Sequence, residues 1–194
     1  MRVKLLLAGE APPGLGASLL AALPAPFAGG AEELLAVDIR TCTDRRRRQV
    51  DAACLLAVVP EPPEGWAHLC IVGSDLCLPA VTHVFGLAEL GSRRGVVSWA
   101  RLREEDEPWT LGPVTRRRLL VEAVHELGHA LGLPHCAVPD CAMHRSLWIE
   151  SIDLKLPAYC PSCLAALATK AAASSARLTA CEATHTMSGG GNAT

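Results

Sequence analysis

The stretch HELGHALGLPHCAVPDCAM, residues 125–143, decides how this chain folds and which chemistry it can carry out. Its nineteen positions hold three histidines, two cysteines, one glutamate and one methionine. Imidazole, thiolate and carboxylate groups are the usual protein ligands of transition metals. The stretch therefore predicts at least one metal site, and its two kinds of donor raise the question whether there are two.

The histidines predict a catalytic zinc site. His125 and His129 are four residues apart on a predicted helix, so both imidazoles project from one face. Gly132 allows a sharp turn with a positive φ, which brings His135 back toward the other two. Three neutral imidazoles leave one position open for water, as in catalytic rather than structural zinc sites. Glu126, next to the first ligand, can reach that water as a general base without being a ligand itself.

Four cysteines predict a second site of a different kind. Cys136 and Cys141 follow the last histidine, and Cys160 and Cys163 form a CPSC motif further on. Four thiolates at these spacings satisfy a tetrahedral structural zinc and leave no position for water. The CPSC motif could instead be a thioredoxin-like redox pair, but that motif belongs at a helix start after a first strand, whereas this one is expected to follow an irregular loop and has two further cysteines upstream. The other cysteines are interpreted as core or surface thiols: Cys42, Cys54, Cys70, Cys77 and Cys181.

Residues 125–163 resemble the archaemetzincin (archaelysin) family of metzincin zinc metallopeptidases. Metzincins combine the HExxHxxGxxH string with a methionine in a tight turn beneath the histidines, and Met143 stands where that methionine is expected. Archaemetzincins add a four-cysteine zinc, and VFGLAEL (84–90) and VVSWARL (96–102) resemble the hairpin before their catalytic helix. The resemblance implies a zinc metallopeptidase with one catalytic and one structural zinc ion per chain, which acts on peptide or protein substrates.

The same resemblance indicates how a substrate would be bound and cleaved. The strand around Phe85–Glu89 can pair edge to edge with an extended peptide. Glu126 is expected to accept a proton from the attacking water and to pass it to the leaving amine. Tyr159 is a candidate oxyanion donor, since some metzincins place a tyrosine near the metal, but its position beside Cys160 favours packing in the core.

The first half of the chain predicts an α/β arrangement. Three apolar runs predict strands: VKLLLAG (3–9), ELLAVDI (33–39) and AHLCIVGSD (67–75). Helices are predicted between them over Leu15–Leu23 and over Arg45–Val58, the second with Thr43 or Asp44 as its N-cap. This β-α-β-α-β order favours a largely parallel sheet covered by helices.

A hairpin and a long helix follow. THVFGLAEL (82–90) and RGVVSWARL (94–102) predict two paired strands, and REEDEPW (103–109) predicts a polar loop. Apolar residues at helical spacing predict the active-site helix over 113–131, and LAALATKAAASSARL (164–178) predicts a closing helix. The expected fold class is thus α/β (α+β), metzincin-like: a twisted mixed β-sheet with covering helices, a long active-site helix and a small zinc-braced C-terminal subdomain.

These elements divide the chain into three parts. The N-terminal subdomain, residues 1–132, contains the sheet and the catalytic helix. The C-terminal subdomain, residues 133–178, carries the third histidine, the methionine turn and the four cysteines. Residues 179–194 lack an apolar pattern and are predicted to be a disordered tail.

Composition and charge narrow the class of protein further. Of the 194 residues, 50% are hydrophobic and 20% are charged, which is enough for a buried core. The net charge of −2 argues against nucleic acid as the main partner. Glu10 and Pro12 cut the first apolar run short of a signal peptide, and no run approaches the length of a membrane span. We therefore expect a cytoplasmic protein without a membrane partner; the oligomeric state stays open.

Two other classes of function are compatible with part of this pattern. Certain bacterial endoribonucleases also use an HxxxHxxGxxH string, and the runs RRRR (45–48) and RRR (116–118) could contact phosphates, although such runs are usually solvated helix faces. Glu126 and the four cysteines argue against that class. A zinc-stabilised peptide-binding module without catalysis is the other alternative, and the open zinc position together with Glu126 argues against it.

Overall fold

The computed structural model describes residues 1–27, 29–35, 38–104 and 111–172. The strands are β1 (Arg2–Ala8), β2 (Gly30–Leu35), β3 (Thr43–Asp44), β4 (Gln49–Asp51), β5 (Trp66–Val72), β6 (Leu76–Leu78), β7 (Val81–Val84), β8 (Gly86–Ala88) and β9 (Arg94–Ser98). The helices are α1 (Leu15–Ala22), α2 (Ala52–Val58), α3 (Pro113–Ala130) and α4 (Ile149–Asp153), followed by a C-terminal helix over residues 161–172. The chain is thus a mixed α/β protein, as its pattern predicts.

A mixed five-stranded sheet forms the centre of the molecule, in the order β2-β1-β5-β9-β8. The first four strands are parallel to one another, and β8 is antiparallel to β9. Strand β8 therefore lies at one edge of the sheet. A second, smaller sheet has the order β3-β4-β6-β7.

The apolar runs of β1, β5 and β9 reflect burial on both faces of the central sheet. Along β1, Leu5 belongs to the core shared with α1 and α3, while Leu6 belongs to the core on the α2 side. Ile71 and Cys70 of β5 alternate in the same way. Parallel strands covered on both faces read as continuous apolar segments rather than as alternating ones.

Helix α3 forms as its sequence predicts, within one residue of the expected end. Proline at its first position, Pro113, already has the φ angle that a helix requires and lacks only an N–H that would be unpaired there. Leu119, Val124 and Leu127 are fully buried against the sheet. Beyond the helix, Gly132 has a φ of 90°, the left-handed conformation that turns the chain back. The predicted turn after the helix is confirmed.

The helix predicted over Arg45–Val58 is wrong in its first half. The arginines at 45–48 form the turn of the β3–β4 hairpin, with Arg48 at a φ of 57°. The Asp44 carboxylate does accept N–H bonds, from Arg46 and Arg47, but these close a turn and not a helix. The true N-cap is Asp51, which accepts from the first N–H groups of α2.

Two strand predictions also need correction. Strand β2 begins at Gly30, earlier than the predicted 33–39, and Asp38 already caps a 3-10 helix at Ile39–Cys42. The run 82–90 does not form one strand. It divides at Phe85 into β7, which pairs with β6, and β8, which pairs with β9. The run 94–102 ends as a strand at Ser98 and continues as a 3-10 helix.

The interpretation of Cys42 and Cys54 as separate thiols is wrong, because they form a disulfide that joins the 3-10 helix to α2 across a Cα–Cα distance of 5.4 Å. Cys70 and Cys77 are free and buried, as predicted for core thiols. Most of the polar loop at 103–109, the end of the helix predicted to 178, Cys181 and the tail at 179–194 lie outside the described residues. Within the part of the chain that is described, no helix is long and apolar enough to cross a bilayer.

Candidate metal centres

The three histidines of the motif converge at the C-terminal half of α3. The Nε2 atom of His129 lies 3.1 Å from that of His125 and 3.3 Å from that of His135. Nitrogens bound to one zinc at about 2.1 Å with tetrahedral angles lie about 3.4 Å apart. The three ring nitrogens therefore fit a single zinc ion and leave a fourth position toward solvent.

Backbone carbonyl groups fix the orientation of two of these rings. The Nδ1 of His125 lies 2.6 Å from the oxygen of Ala142, and that of His129 lies 2.7 Å from the oxygen of Leu133. Because a carbonyl can only accept, both Nδ1 atoms carry the proton and both Nε2 atoms present a lone pair. The tautomer that metal binding needs is therefore set by the protein.

Desolvation favours the neutral form of the three imidazoles, most strongly for the buried His125. It lowers the pKa of His125 well below its ordinary value, with a further contribution from the Lys155 ammonium. Burial also lowers the pKa of His129 and of His135. Neutral imidazole is the form that binds a metal ion, so no proton has to leave these rings near neutral pH.

Glu126 lies beside the histidines under the edge of the central sheet. Burial raises its pKa well above the ordinary range, and the neighbouring Glu122 carboxylate raises it further. Position 86 requires a glycine, because a Cβ there would lie 2.6 Å from the Cγ of Glu126 and 2.7 Å from its Oε1. A carboxylate with a raised pKa in a cleft is typical of a general base.

Met143 lies in a tight turn, hereafter the Met-turn (Cys141–His144), closed by a hydrogen bond from the His144 N–H to the Cys141 oxygen. Its side chain is fully buried and packs against Gly128 of α3, where any side chain would collide with the sulfur. Met143 is thus a buried side chain packed against the helix that carries His125 and His129.

Tyr159 belongs to the core and not to the reacting groups. Its ring packs edge-on against Phe27, and its hydroxyl donates to the carbonyl oxygen of Val124 at 2.7 Å. Only 6% of the residue is exposed. Of the two interpretations of Tyr159, packing in the core is the one that the structure supports.

The four predicted cysteines form a second cluster behind the Met-turn. The sulfurs of Cys136 and Cys160 are 3.8 Å apart, those of Cys141 and Cys163 are 3.9 Å apart, and all four lie within 4.8 Å of one another. Four sulfurs at about 2.3 Å from one tetrahedral zinc are separated by about 3.8 Å. The cluster therefore fits a closed structural zinc.

The CPSC motif lies between an irregular loop and the C-terminal helix. Cys160 directly precedes the helix at 161–172, and the Leu164 N–H donates to its carbonyl oxygen. The motif begins a helix, but it follows an irregular loop, as predicted, and not a first strand as the redox motif does. The convergence of all four sulfurs is the better evidence for metal binding. A backbone hydrogen bond from Cys163 lowers the pKa of Cys160 to about 7, which favours the thiolate that zinc requires.

An open cleft of about 540 Å³ leads to the three histidines. One wall is formed by β7 and β8, and the opposite wall by Arg145–Trp148 after the Met-turn. Large apolar side chains stand exposed at its rim, among them Leu90 at 62%, Leu147 at 58% and Trp148 at 65%. The cleft is therefore long, lined by a free strand edge, and apolar at its margins.

The arginine runs contact the protein itself. Arg47 donates to the carbonyl oxygens of Leu78 and Pro79 in the small sheet. On α3, Arg117 donates to the carbonyl oxygen of Lys155, and Arg118 pairs with Asp153 of α4 at 2.7 Å. The arginines at 45–48 are all exposed, but in a hairpin turn and not on a helix face, while Arg116 and Arg118 are partly buried against neighbouring elements.

Sequence reasoning missed several residues that shape the site. Gly86 and Gly128 keep space for Glu126 and Met143, and a glycine inside an otherwise strong helix such as α3 is a signal of close packing. Lys155 and Glu122 form a buried ion pair beside the Met-turn. No local pattern marks that pair, because its members are 33 residues apart in the sequence.

Comparison with known proteins concerns this same part of the molecule. The model of peptidase family M54 matches residues 65–169. An archaemetzincin from Archaeoglobus fulgidus is 36% identical over 122 residues, which cover 63% of this chain and 71% of that relative. One from Pyrococcus horikoshii is 43% identical over 102 residues, covering 50% of this chain and 53% of that relative.

Solved structures of archaemetzincins share the fold. The crystal structure of the Archaeoglobus fulgidus protein complexed with malonate has a TM-score of 0.74 and 31% identity, covering 85% of this chain and 99% of that one. The crystal structure of the Methanopyrus kandleri protein has a TM-score of 0.73 and 25% identity, covering 88% of this chain and 94% of that one.

The matched segment contains the long helix, the Met-turn and the cysteine cluster, so sequence, geometry and comparison agree on one region. Fold and site together define a zinc metallopeptidase of the metzincin type. The chain belongs to peptidase family M54, the archaemetzincin family.

Proposed function

We propose that His125, His129 and His135 hold the catalytic zinc ion and that Glu126 is the general base for hydrolysis of peptide bonds. One observation carries the assignment of these residues. Three Nε2 atoms converge at the floor of an open cleft beside a buried carboxylate, and backbone carbonyls hold two of the rings, His125 and His129, in the metal-binding tautomer.

A zinc ion at this position supplies Lewis acidity, which polarises a substrate carbonyl and acidifies water. The Glu126 carboxylate takes one proton from a water molecule as the oxygen of that water adds to the substrate carbonyl carbon. The same carboxyl then delivers that proton to the amine nitrogen as the C–N bond breaks. Burial raises the pKa of Glu126, and this makes its carboxylate a stronger base for the first transfer.

The second proposed zinc is structural and is held by Cys136, Cys141, Cys160 and Cys163, which makes two zinc ions per chain. It would brace the segment that carries the third histidine and the Met-turn. The Cys136 N–H donates to the carbonyl oxygen of Met143 at 2.9 Å, and Cys141 opens the turn. A metal cross-link here would stabilise a region too small to build a large core of its own. On this basis residues 133–178 are a zinc-braced subdomain on the larger body formed by residues 1–132.

The substrate is proposed to be an extended stretch of polypeptide bound along β8. This strand is the edge of the central sheet and lines the cleft, so its free backbone groups can pair with a peptide. The exposed apolar rim at Leu90, Leu147 and Trp148 would receive large apolar side chains. An unfolded segment offers both features at once, whereas a folded protein hides them. The cytoplasmic location expected from the sequence stays a prediction.

Metal analysis combined with a cleavage assay tests these assignments. The wild type is expected to contain about two zinc ions per chain and His129→Ala about one, with peptide cleavage abolished. As a control for zinc content, His83→Ala removes a histidine outside the constellation and should keep both ions. Unchanged zinc content and cleavage in His129→Ala would exclude the proposed site. Incubation with structured RNA is expected to give no cleavage, which separates the peptidase from the endoribonuclease alternative.

A further inference from the structure

A buried lysine beside the Met-turn has no place in the mechanism above. Lys155 is fully buried, and its Nζ lies 2.9 Å from the Oε1 of Glu122, a residue of α3 that is itself only 2% exposed. Removing two charges from water costs several kcal/mol per ion, and an apolar pair of the same size is often equally stable. Stability alone is therefore a poor reason for this pair.

The remaining contacts of the ammonium all lie on the Met-turn and the segment after it. Lys155 donates to the carbonyl oxygens of Ala142 at 3.3 Å and His144 at 3.1 Å, on either side of Met143, and to the Ser146 hydroxyl. Ser146 in turn donates to Glu122 at 2.8 Å. One cation thus ties both sides of the turn to α3.

The carbonyl oxygen of Ala142 links this network to the metal centre. It accepts from the Nδ1 of His125 at 2.6 Å and from the Nζ of Lys155 at 3.3 Å. Displacing that oxygen would rotate the His125 ring or break the hydrogen bond that its Nδ1–H donates. Groups that hydrogen-bond to a metal-binding side chain in this way orient that side chain and tune its affinity for the metal.

The backbone of Lys155 is held as well as its side chain. The Arg117 guanidinium on α3 donates to the Lys155 carbonyl oxygen at 2.6 Å. Glu122 is one helical turn before Glu126 and three residues before His125, so the ion pair is fixed to the helix that carries both groups.

We propose that Lys155, paired with Glu122, is a positioning residue that holds the Ala142 carbonyl and thereby orients His125 toward the catalytic metal. This inference rests on the proposed function of the three histidines. It assigns to the ion pair a role in metal affinity and turnover beyond its role in folding.

The test variant is Lys155→Met with Glu122→Gln, which removes both charges and leaves no buried ion unpaired. We expect the zinc affinity of the three-histidine site to fall by about 10- to 100-fold. With cobalt(II) in place of zinc, the d–d spectrum of that site should change, while the thiolate charge-transfer band of the cysteine site stays. At saturating zinc, kcat should fall by a larger factor than KM changes, because β8 and the apolar rim of the cleft are untouched.

Arg118→Met with Asp153→Asn is the matched control. It removes another ion pair between α3 and the C-terminal segment, at 2.7 Å, that makes no contact with the Met-turn carbonyls. This control should lose stability but keep the zinc affinity, the cobalt spectrum and kcat. A role in stability alone predicts that both double variants behave alike.

Wild-type zinc affinity, spectrum and kcat in a folded Lys155→Met, Glu122→Gln protein would overturn the inference. If that protein does not fold, Lys155→Gln decides the question, because the shorter amide should also lower zinc affinity and an unchanged affinity would refute the proposal. Failure of the proposed function is distinguishable, since the wild type itself would then neither bind metal at the histidines nor cleave peptides.

Discussion

Replacing Gly128 by alanine tests whether the Met-turn is packed as tightly against α3 as the structure indicates. A Cβ at this position would lie 3.1 Å from Cε1 of Tyr159, 3.2 Å from Cε of Met143 and closer still to the Met143 sulfur. Non-bonded carbon atoms rest at about 3.5–4.0 Å. Met143 is fully buried and the Tyr159 hydroxyl donates to the Val124 carbonyl oxygen, so both side chains are held in place by the core.

Two effects of opposite sign compete in Gly128→Ala. Alanine is favoured over glycine inside a helix by about 1 kcal/mol. Overpacking of a well-filled core costs about 1–3 kcal/mol and sometimes more. Since the Cβ would collide with the buried side chains of Met143 and Tyr159, we expect a net loss of roughly 1–2 kcal/mol in the free energy of unfolding. Zinc affinity at the histidines should fall with it.

Urea unfolding at a fixed free zinc concentration measures this difference, because bound metal contributes to the apparent stability. A double-mutant cycle with Met143→Ala isolates the contact. In the Met143→Ala background the collision with the Met143 side chain disappears and only the 3.1 Å approach to Tyr159 remains, so Gly128→Ala should cost much less than in the wild type. A Gly128→Ala protein more stable than the wild type would refute the reasoning, since helix propensity would then outweigh packing.

Three further changes should have distinct effects. Gly86→Ala places a Cβ 2.6 Å from the Cγ of Glu126. The value of kcat should therefore fall by roughly 10²-fold at unchanged zinc content. An unaltered kcat would show that the Glu126 carboxylate has room to move. Cys163→Ser should reduce zinc from about two ions to one and lower the melting temperature, whereas full zinc content would exclude this thiol as a ligand. Chelator competition at several pH values should release zinc first from the cysteine site as the pH falls through about 7, because protons compete with zinc for the thiolates. The pKa of Cys160 is about 7, and burial raises the pKa of Cys163. The histidines, whose pKa values burial lowers, stay neutral in that range, so earlier release from their site would contradict the assignment.

The metal ligands and α3 are predictable from the sequence because their geometry is local. A spacing of four residues places His125 and His129 on one helix face, and Gly132 must adopt a positive φ for the chain to return. The cysteine cluster is recognisable for a related reason. Its spacings are those of a zinc site, whatever the path of the intervening chain.

Features that depend on tertiary contacts could not be predicted in this way. Asp44 has the side chain of an N-cap, but the chain after it forms a hairpin turn because Val50 and Asp51 pair with β6. The Cys42–Cys54 disulfide and the Lys155–Glu122 pair join residues that only the fold brings together. Gly128, which packs against Met143, is an intermediate case. A glycine inside a helix indicates a close contact, but it does not identify the residue that makes the contact.

Comparison of the wild type with Glu126→Gln tests the central claim most directly. Both proteins are to be assayed against an unfolded polypeptide or a peptide library, with the zinc content of each measured in the same preparation. We predict equal zinc content and a loss of cleavage of about 10²-fold or more, because the amide cannot accept the proton of the attacking water. Equal cleavage by the two proteins would contradict the assignment of Glu126 as the general base of this peptidase.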